Sequence, residues 1–152
     1  MAGTRAPFCV ICSAGGHLSE ALTAIEKIEG DVCFITKRDD HVAGRLAGKR
    51  MYYINDPHTS LVGYLCNVIR ALYLVLVTRP RVVLSTGSGI AIPYCLLAKL
   101  LGAKLVFIET GARVTTPSRT GKFLYKYADV FYVQWPKLLE HYPRAKYEGR
   151  LI

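Results

Sequence analysis

Acidic side chains are scarce in this sequence: 11 Asp and Glu stand against 20 Lys and Arg, a formal net charge of +9 at neutral pH. Such a chain is drawn to something anionic, whether nucleic acid, an acidic lipid surface or a phosphorylated substrate, and charge alone does not choose among them. Low-complexity tracts, internal repeats and linkers are also missing, so nothing marks a second domain. The 152 residues make one domain, large enough for its own core and short for a complete two-domain enzyme. Cysteine is present five times, an odd number, and Cys9, Cys12, Cys33, Cys66 and Cys95 all fall in apolar patterns. They read as reduced core residues of a cytoplasmic protein. Cys9 and Cys12 share one strand and no second Cys/His pair follows at ligand spacing, which argues against a metal or redox site. A signal peptide is not expected either, because Met1–Pro7 is short and the first apolar run is a five-residue strand.

Apolar residues, in contrast, make up 51% of the chain, and the mean hydropathy is +0.23. That suggests buried parallel strands, a membrane-facing surface or a partner interface. Strands are predicted at Phe8–Cys12, Val32–Thr36, Met51–Ile54, Val82–Ser85, Lys104–Ile108 and Val130–Val133, alternating with helical segments. The expected fold is α/β: a doubly wound, mostly parallel, Rossmann-like sheet over residues 1–152. Ligands of such sheets bind beyond the carboxyl ends of the strands, where strand order reverses.

Three loops leave those ends with suggestive chemistry. Ser13-Ala14-Gly15-Gly16-His17 breaks an apolar strand and opens a helix predicted over His17–Glu29, with Leu18, Leu22, Ile25 and Ile28 on one face and Gly30 as terminator. Glycine lets backbone approach a ligand, free N–H groups of a first helical turn favour phosphate or carboxylate, and His17 adds a titratable group. Thr86-Gly87-Ser88-Gly89 repeats the arrangement ahead of a helix at Ile90–Leu101. Glu109-Thr110-Gly111-Ala112-Arg113 closes the set with a carboxylate at the end of an apolar strand, where it must be solvated, paired or functional. Without Gly-Lys-Ser/Thr there is no Walker A loop, and without full dinucleotide spacing NAD is not expected. His41, His58 and His141 sit in polar surroundings and read as surface residues.

The crossover at residues 60–78 is apolar around most of its circumference, leaving a narrow polar stripe of Ser60, Tyr64, Asn67 and Arg70. Its length of roughly 28 Å approaches a membrane crossing. Arg70 and the strands on both sides argue against crossing, since spanning would split the sheet across a bilayer. Two readings stay open: a buried crossover helix, or one whose outer face dips into a membrane interface through Leu65, Ile69, Arg70 and Leu72, flanked by Arg79 and Arg81. From residue 99 onward, ten basic side chains face four acidic ones. Tyrosines and Trp135 interleaved there would permit RNA stacking, but no RNA-binding motif accompanies them, and no nucleic-acid partner is expected.

Taken in order, Ser13–His17, Ser85–Gly89 with Pro93, Ile108–Arg113 and Ala128–Trp135 resemble the acceptor-side subunits of split GT-B glycosyltransferases. These include the membrane-recruiting subunit of the dolichol-linked N-acetylglucosamine transferase and bacterial capsule and exopolysaccharide proteins. The order is similar, too, to the N-terminal half of the peptidoglycan N-acetylglucosaminyltransferase. The resemblance implies half of a heteromeric UDP-sugar-dependent hexosyltransferase, inactive alone. It would bind a polyprenyl-pyrophosphate-linked sugar at the inner face of the cytoplasmic membrane, in polysaccharide or oligosaccharide biosynthesis; the alternative is a non-catalytic scaffold that recruits the catalytic subunit. By motif position, Gly15, Gly16 and His17 would face acceptor or reaction centre, Gly87, Ser88 and Gly89 would support acceptor binding, and Glu109 would sit at the cleft edge. On their own chemistry His17 is the first candidate for the catalytic base or acceptor-orienting group and Glu109 the second, with Ser13, Thr86 and Arg113 also placed at acceptor or pyrophosphate. The UDP-sugar is expected on a catalytic, GT-B C-terminal-type partner, so this chain binds no cofactor or metal itself. Tyr147, Leu151 and Ile152 would lie at the junction with that partner. Eukaryotic members begin with a transmembrane helix, whereas this sequence starts almost at its first strand, so the expectation is the bacterial branch and peripheral membrane contact.

Overall fold

The computed structural model describes residues 8–57 and 60–151; His58 and Ile152 lie outside them. Seven strands form one parallel sheet: β1 (Phe8–Ile11), β2 (Val32–Thr36), β3 (Arg50–Tyr53), β4 (Val82–Ser85), β5 (Lys104–Ile108), β6 (Val130–Val133) and β7 (Lys146–Tyr147). The spatial order is β3-β2-β1-β4-β5-β6-β7, so the direction of winding reverses between β1 and β4. The expected doubly wound fold is therefore present, and the loops after β1 and β4 flank the switch point. The two-residue β7 and a 3-10 turn at Pro136–Glu140 are additions that the sequence pattern did not announce.

Among the described residues, five helices cross between strands: α1 (Gly16–Ala24), α2 (Asp40–Arg45), α3 (Leu61–Thr78), α4 (Ala91–Leu100) and α5 (Arg119–Leu124). Alternation along each strand divides two apolar layers. Cys9, Ile11, Cys33, Ile35, Val83, Leu105, Phe107 and Phe131 pack with Ala71, Leu74 and Val75 of α3, with Tyr94 and Cys95 of α4, and with Leu124 of α5. Val10, Cys12, Phe34 and Leu84 face the other way, onto Leu18, Ala21 and Ile25 from α1 and Val42 from α2. Cys9 and Cys12 thus belong to opposite faces and cannot converge on one ion or on each other. Burial also pushes the Cys12 thiol up to about 12, with Arg45 opposing, which removes it as a nucleophile.

On the α1 side the sheet is only partly roofed. Over β4, β5 and β6 there is an apolar groove of about 430 Å³ whose walls include Leu84, Val106, Ile108, Tyr132 and Leu151. Local differences from expectation have local causes. α1 stops at Ala24 rather than Glu29, so Ile28 is left 40% exposed. Cys66 is not a core residue: it lies exposed on the outer side of α3.

α3 is the one helix among the described residues long and apolar enough to cross a membrane by length and composition. It does not stand free, because Asn67, Ala71, Leu74, Val75 and Thr78 are buried against the sheet layer. Asn67 donates from Nδ2 to the Asn55 carbonyl at 2.7 Å, and Arg70 donates from Nε to the Tyr53 carbonyl at 3.0 Å. Arg70, expected at a membrane contact, is therefore half-buried and bolts the helix to the end of β3, its guanidinium 5.1 Å from the Tyr73 ring centre. The opposite face is bare: Leu61, Leu65 and Ile69 are 86%, 60% and 61% exposed, with Leu72 and Leu76 continuing the stripe. Arg79 and Arg81 follow its C-terminal end, and both are exposed.

Candidate functional site

The loops after β1 and β4 are clasped together by His17 and Thr86. The imidazole Nδ1 donates to the Thr86 carbonyl at 2.8 Å, while the Thr86 hydroxyl returns a hydrogen bond to the His17 carbonyl at 2.7 Å. A carbonyl oxygen can only accept, so in the neutral ring the proton sits on Nδ1 and Nε2 keeps its lone pair. The ring packs closely on Gly87, where a Cβ would meet His17 Cε1 at 3.0 Å. Gly87 also has φ +114°, a conformation side chains rarely adopt, and Ser88 follows at +83°. Thr86 and Gly87 are both buried; Thr86 is spent on His17 and the Gly87 amide on Ser85 Oγ at 3.2 Å, so both act on the site from beneath.

Gly15 and Gly16 are exposed, and Ser13, Ser88 and Gly89 are half-buried around them. Gly15 caps α1 with φ +76° and no side-chain hydrogen bond, and the first turn of α1 holds no acid. The first turn of α4 is likewise without a side-chain cap or an acid. In α4, however, the Ala91 and Ile92 amides turn back to the Ser88 and Gly89 carbonyls at 3.1 and 3.4 Å, and Pro93 has no N–H. The uncapped N-terminus of α1 thus borders His17 and is suited to anionic oxygen, with the Ser88–Gly89 loop beside it. Arg45, which the sequence did not single out, extends from α2 and donates to Ser19 Oγ at 3.1 Å, bringing a guanidinium beside the Gly15 loop.

Glu109 is differently used. It is fully buried, and its Oε2 accepts from the Ser118 amide at 3.1 Å and the Tyr142 hydroxyl at 2.8 Å, while Oε1 accepts from the Thr110 amide at 3.2 Å. A Cβ at Gly121 would collide with the same carboxylate. Burial, reinforced by the adjacent Glu109 charge, pushes the Tyr142 phenol upward and keeps it a donor. Glu109 therefore organises the loop between β5 and α5 from below, with no route to a substrate. Arg113 is exposed on that loop.

The carboxylate that does approach His17 is Glu20, one turn along α1 and 1% exposed. Its Oε1 accepts from the Gly111 amide at 2.6 Å, the Gln134 amide nitrogen at 3.1 Å and the Thr110 hydroxyl at 3.2 Å. Its Oε2 stands 4.0 Å from His17 Nδ1. Gln134 in turn donates to the Glu109 carbonyl at 3.2 Å and accepts from the Leu151 amide at 2.9 Å. Trp135 donates from its indole to the Gly111 carbonyl at 2.7 Å, and Arg150 covers its ring at 4.8 Å. Of the C-terminal residues, Tyr147 is exposed and Leu151 is half-buried at the groove. The only signal in the sequence for Glu20 was its i+3 spacing from His17; for Gln134 there was none beyond its position at a strand end.

Residues 49–151 match the family described as oligosaccharide biosynthesis protein Alg14 like. Over 94% of its length the chain is 30% identical to the UDP-N-acetylglucosamine transferase subunit ALG14 of Rattus norvegicus, covering 82% of that protein. It is 32% identical to the subunit of the same name from Candida albicans, covering 77%. In structure, 94% of the chain is similar to MurG of Acinetobacter baumannii, with a TM-score of 0.76 and 18% identity. It is similar also to the UDP-N-acetylglucosamine 2-epimerase of Rickettsia bellii, at a TM-score of 0.73 and 11% identity. These two likenesses concern the fold, and the chain spans 45% and 44% of the respective proteins.

Proposed function

The chain belongs to the Alg14 family, and from that premise we propose that it is the acceptor-binding subunit of a two-chain glycosyltransferase. In this reading it holds a polyprenyl-pyrophosphate-linked sugar at a membrane surface, and a second chain brings UDP-N-acetylglucosamine. The donor follows the names of its relatives, and the family description favours oligosaccharide over capsule or exopolysaccharide assembly. The observation that carries the proposal is the clasp of His17 on Thr86, which leaves Nε2 as a base between the uncapped N-terminus of α1 and the Ser88–Gly89 loop. The acceptor hydroxyl gives its proton to Nε2 as its oxygen bonds to the anomeric carbon. The bond from that carbon to UDP breaks and the diphosphate leaves with the electron pair, inverting the centre. Backbone N–H groups of Gly16 and of the loop at Ser88–Gly89 steady the acceptor's pyrophosphate, with Arg45 and Arg113 adding charge.

The outer face of α3 supports a peripheral membrane contact. Leu61, Leu65, Ile69 and Leu72 would enter the interface while Arg79 and Arg81 meet anionic headgroups, and the buried inner face keeps the helix from spanning. The open groove beside Leu151, with exposed Tyr147 nearby, supports docking of the second chain along the C-terminal segment. His17→Ala in the assembled transferase is expected to lower transfer at least about 100-fold while the two chains still co-purify. Undiminished transfer would leave the second reading, a non-catalytic scaffold, for which the bare face of α3 supplies the recruiting surface.

A further inference from the structure

We infer that Glu20 is a positioning residue for His17, its carboxylate standing as the counter-charge to the imidazolium that forms when His17 takes the acceptor's proton. The inference rests on the reading of His17 as base and adds the residue that makes the base effective. Glu20 Oε1 is held by three donors from two loops that meet α1 from across the sheet. That fixes the carboxylate plane and leaves Oε2 with no hydrogen-bond partner among the described residues, although the atom is buried. A buried carboxylate oxygen without a partner is costly unless something nearby uses it. Among the described residues, the cation-forming group that reaches it is His17, with Nδ1 at 4.0 Å.

The division of labour follows from chemistry. The Thr86 carbonyl fixes the tautomer, but as a neutral acceptor it supplies little against a positive ring; a carboxylate supplies charge. The other groups around the ring do not compete. Thr86 and Gly87 are uncharged, Arg45 is turned to Ser19 Oγ, Arg113 is exposed on its loop, and the Glu109 carboxylate is committed to Ser118 and Tyr142. Proton transfer runs from the acceptor hydroxyl to Nε2 alone; Glu20 takes no proton and Nδ1–H stays on Thr86. Because the same Oε1 is held by Gly111 and Gln134, the carboxylate's aim depends on the loop after β5 and the end of β6.

The test compares the full chain with Glu20→Gln, which keeps shape and an oxygen for the three donors but removes the charge. NMR of the His17 ring nitrogens and carbons through a pH series reads both tautomer and protonation. The neutral ring of the unaltered chain is expected to carry its proton on Nδ1, and Glu20→Gln is expected to release its imidazolium proton at lower pH than the unaltered chain. In the reconstituted transferase, kcat should fall about 10- to 100-fold with acceptor KM within about twofold, and Glu20→Asp should retain more activity than Glu20→Gln. An unchanged His17 titration in Glu20→Gln, or the reverse order of the two variants, overturns the proposal. So does a proton on Nε2 in the neutral ring of the unaltered chain, an observation that needs no variant to fold. Should no second chain or transfer exist, the functional reading fails separately, and the ring titration still decides the pairing.

Discussion

His17 and Gly87 are fitted to each other, and the fit has a measurable cost when broken. A methyl group at Gly87 meets the imidazole edge and forces a side chain onto φ +114°. Gly87→Ala is expected to cost about 1–3 kcal/mol, seen as a Tm lower by several degrees, and to lower transfer by displacing His17. Glu109 makes the contrasting case. Glu109→Ala strands the Ser118 amide and the Tyr142 hydroxyl in the interior, so about 2–4 kcal/mol of stability should be lost in urea unfolding. A variant as stable as the parent would return Glu109 to the list of candidate catalytic groups. The glycines and His17 were legible in the sequence because a turn and the helix it opens are local events. The role of Glu109 was not: its partner Tyr142 is 33 residues away, and nothing in a strand-end carboxylate tells whether it faces a ligand or a distant phenol.

At the scale of elements, β2, β4, β5 and β6 could be read from apolar runs to the residue, because buried parallel strands are continuously hydrophobic. β7 escaped notice since Lys146 and Tyr147 are both exposed and form strand only by pairing with β6. α3 presents the sharpest division between faces. Leu65→Glu with Ile69→Glu should leave unfolding stability within about 0.5 kcal/mol, because both positions are exposed, yet abolish flotation with vesicles containing acidic phospholipid. Vesicle binding equal to the parent's would remove α3 as the membrane surface. Between α4 and β5, Asp129 acts as a clamp, accepting from Lys99 Nζ at 2.9 Å and from the Leu105 amide at 2.8 Å. Partial burial opposes its charge, but the Lys99 hydrogen bond, the Leu105 amide and the Lys99 and Lys104 charges outweigh that and hold the carboxyl below its usual range. A depressed folded-state pKa means stability present above the unfolded value and lost as pH falls through the folded one. Asp129→Asn should thus cost about 1 kcal/mol at neutral pH, with the difference shrinking in acid below about pH 4. A pH-independent difference would show that the carboxylate charge contributes nothing.

At the scale of the molecule, two surfaces and one site point to a component of something larger. The apolar outer face of α3 and the unroofed groove over β4–β6 lie on opposite sides of the sheet, so the membrane contact and the partner docking proposed for them would not compete. The site at the switch point lies between them, and its buried network runs from His17 through Glu20 and Gln134 to Leu151 at the edge of the groove. The high hydrophobic content of the sequence already hinted at such surfaces, but only the fold shows which apolar residues are core and which are left bare. The most direct measurement is transfer from radiolabelled UDP-N-acetylglucosamine to a polyprenyl-pyrophosphate-linked sugar in vesicles, using the purified chain alone and the chain with the partner that co-purifies with it. Transfer by the pair, none by the chain alone, and loss in the pair carrying His17→Ala is the result expected. Equal transfer by the isolated chain, or a pair whose activity ignores His17→Ala, would contradict an acceptor-side half-enzyme.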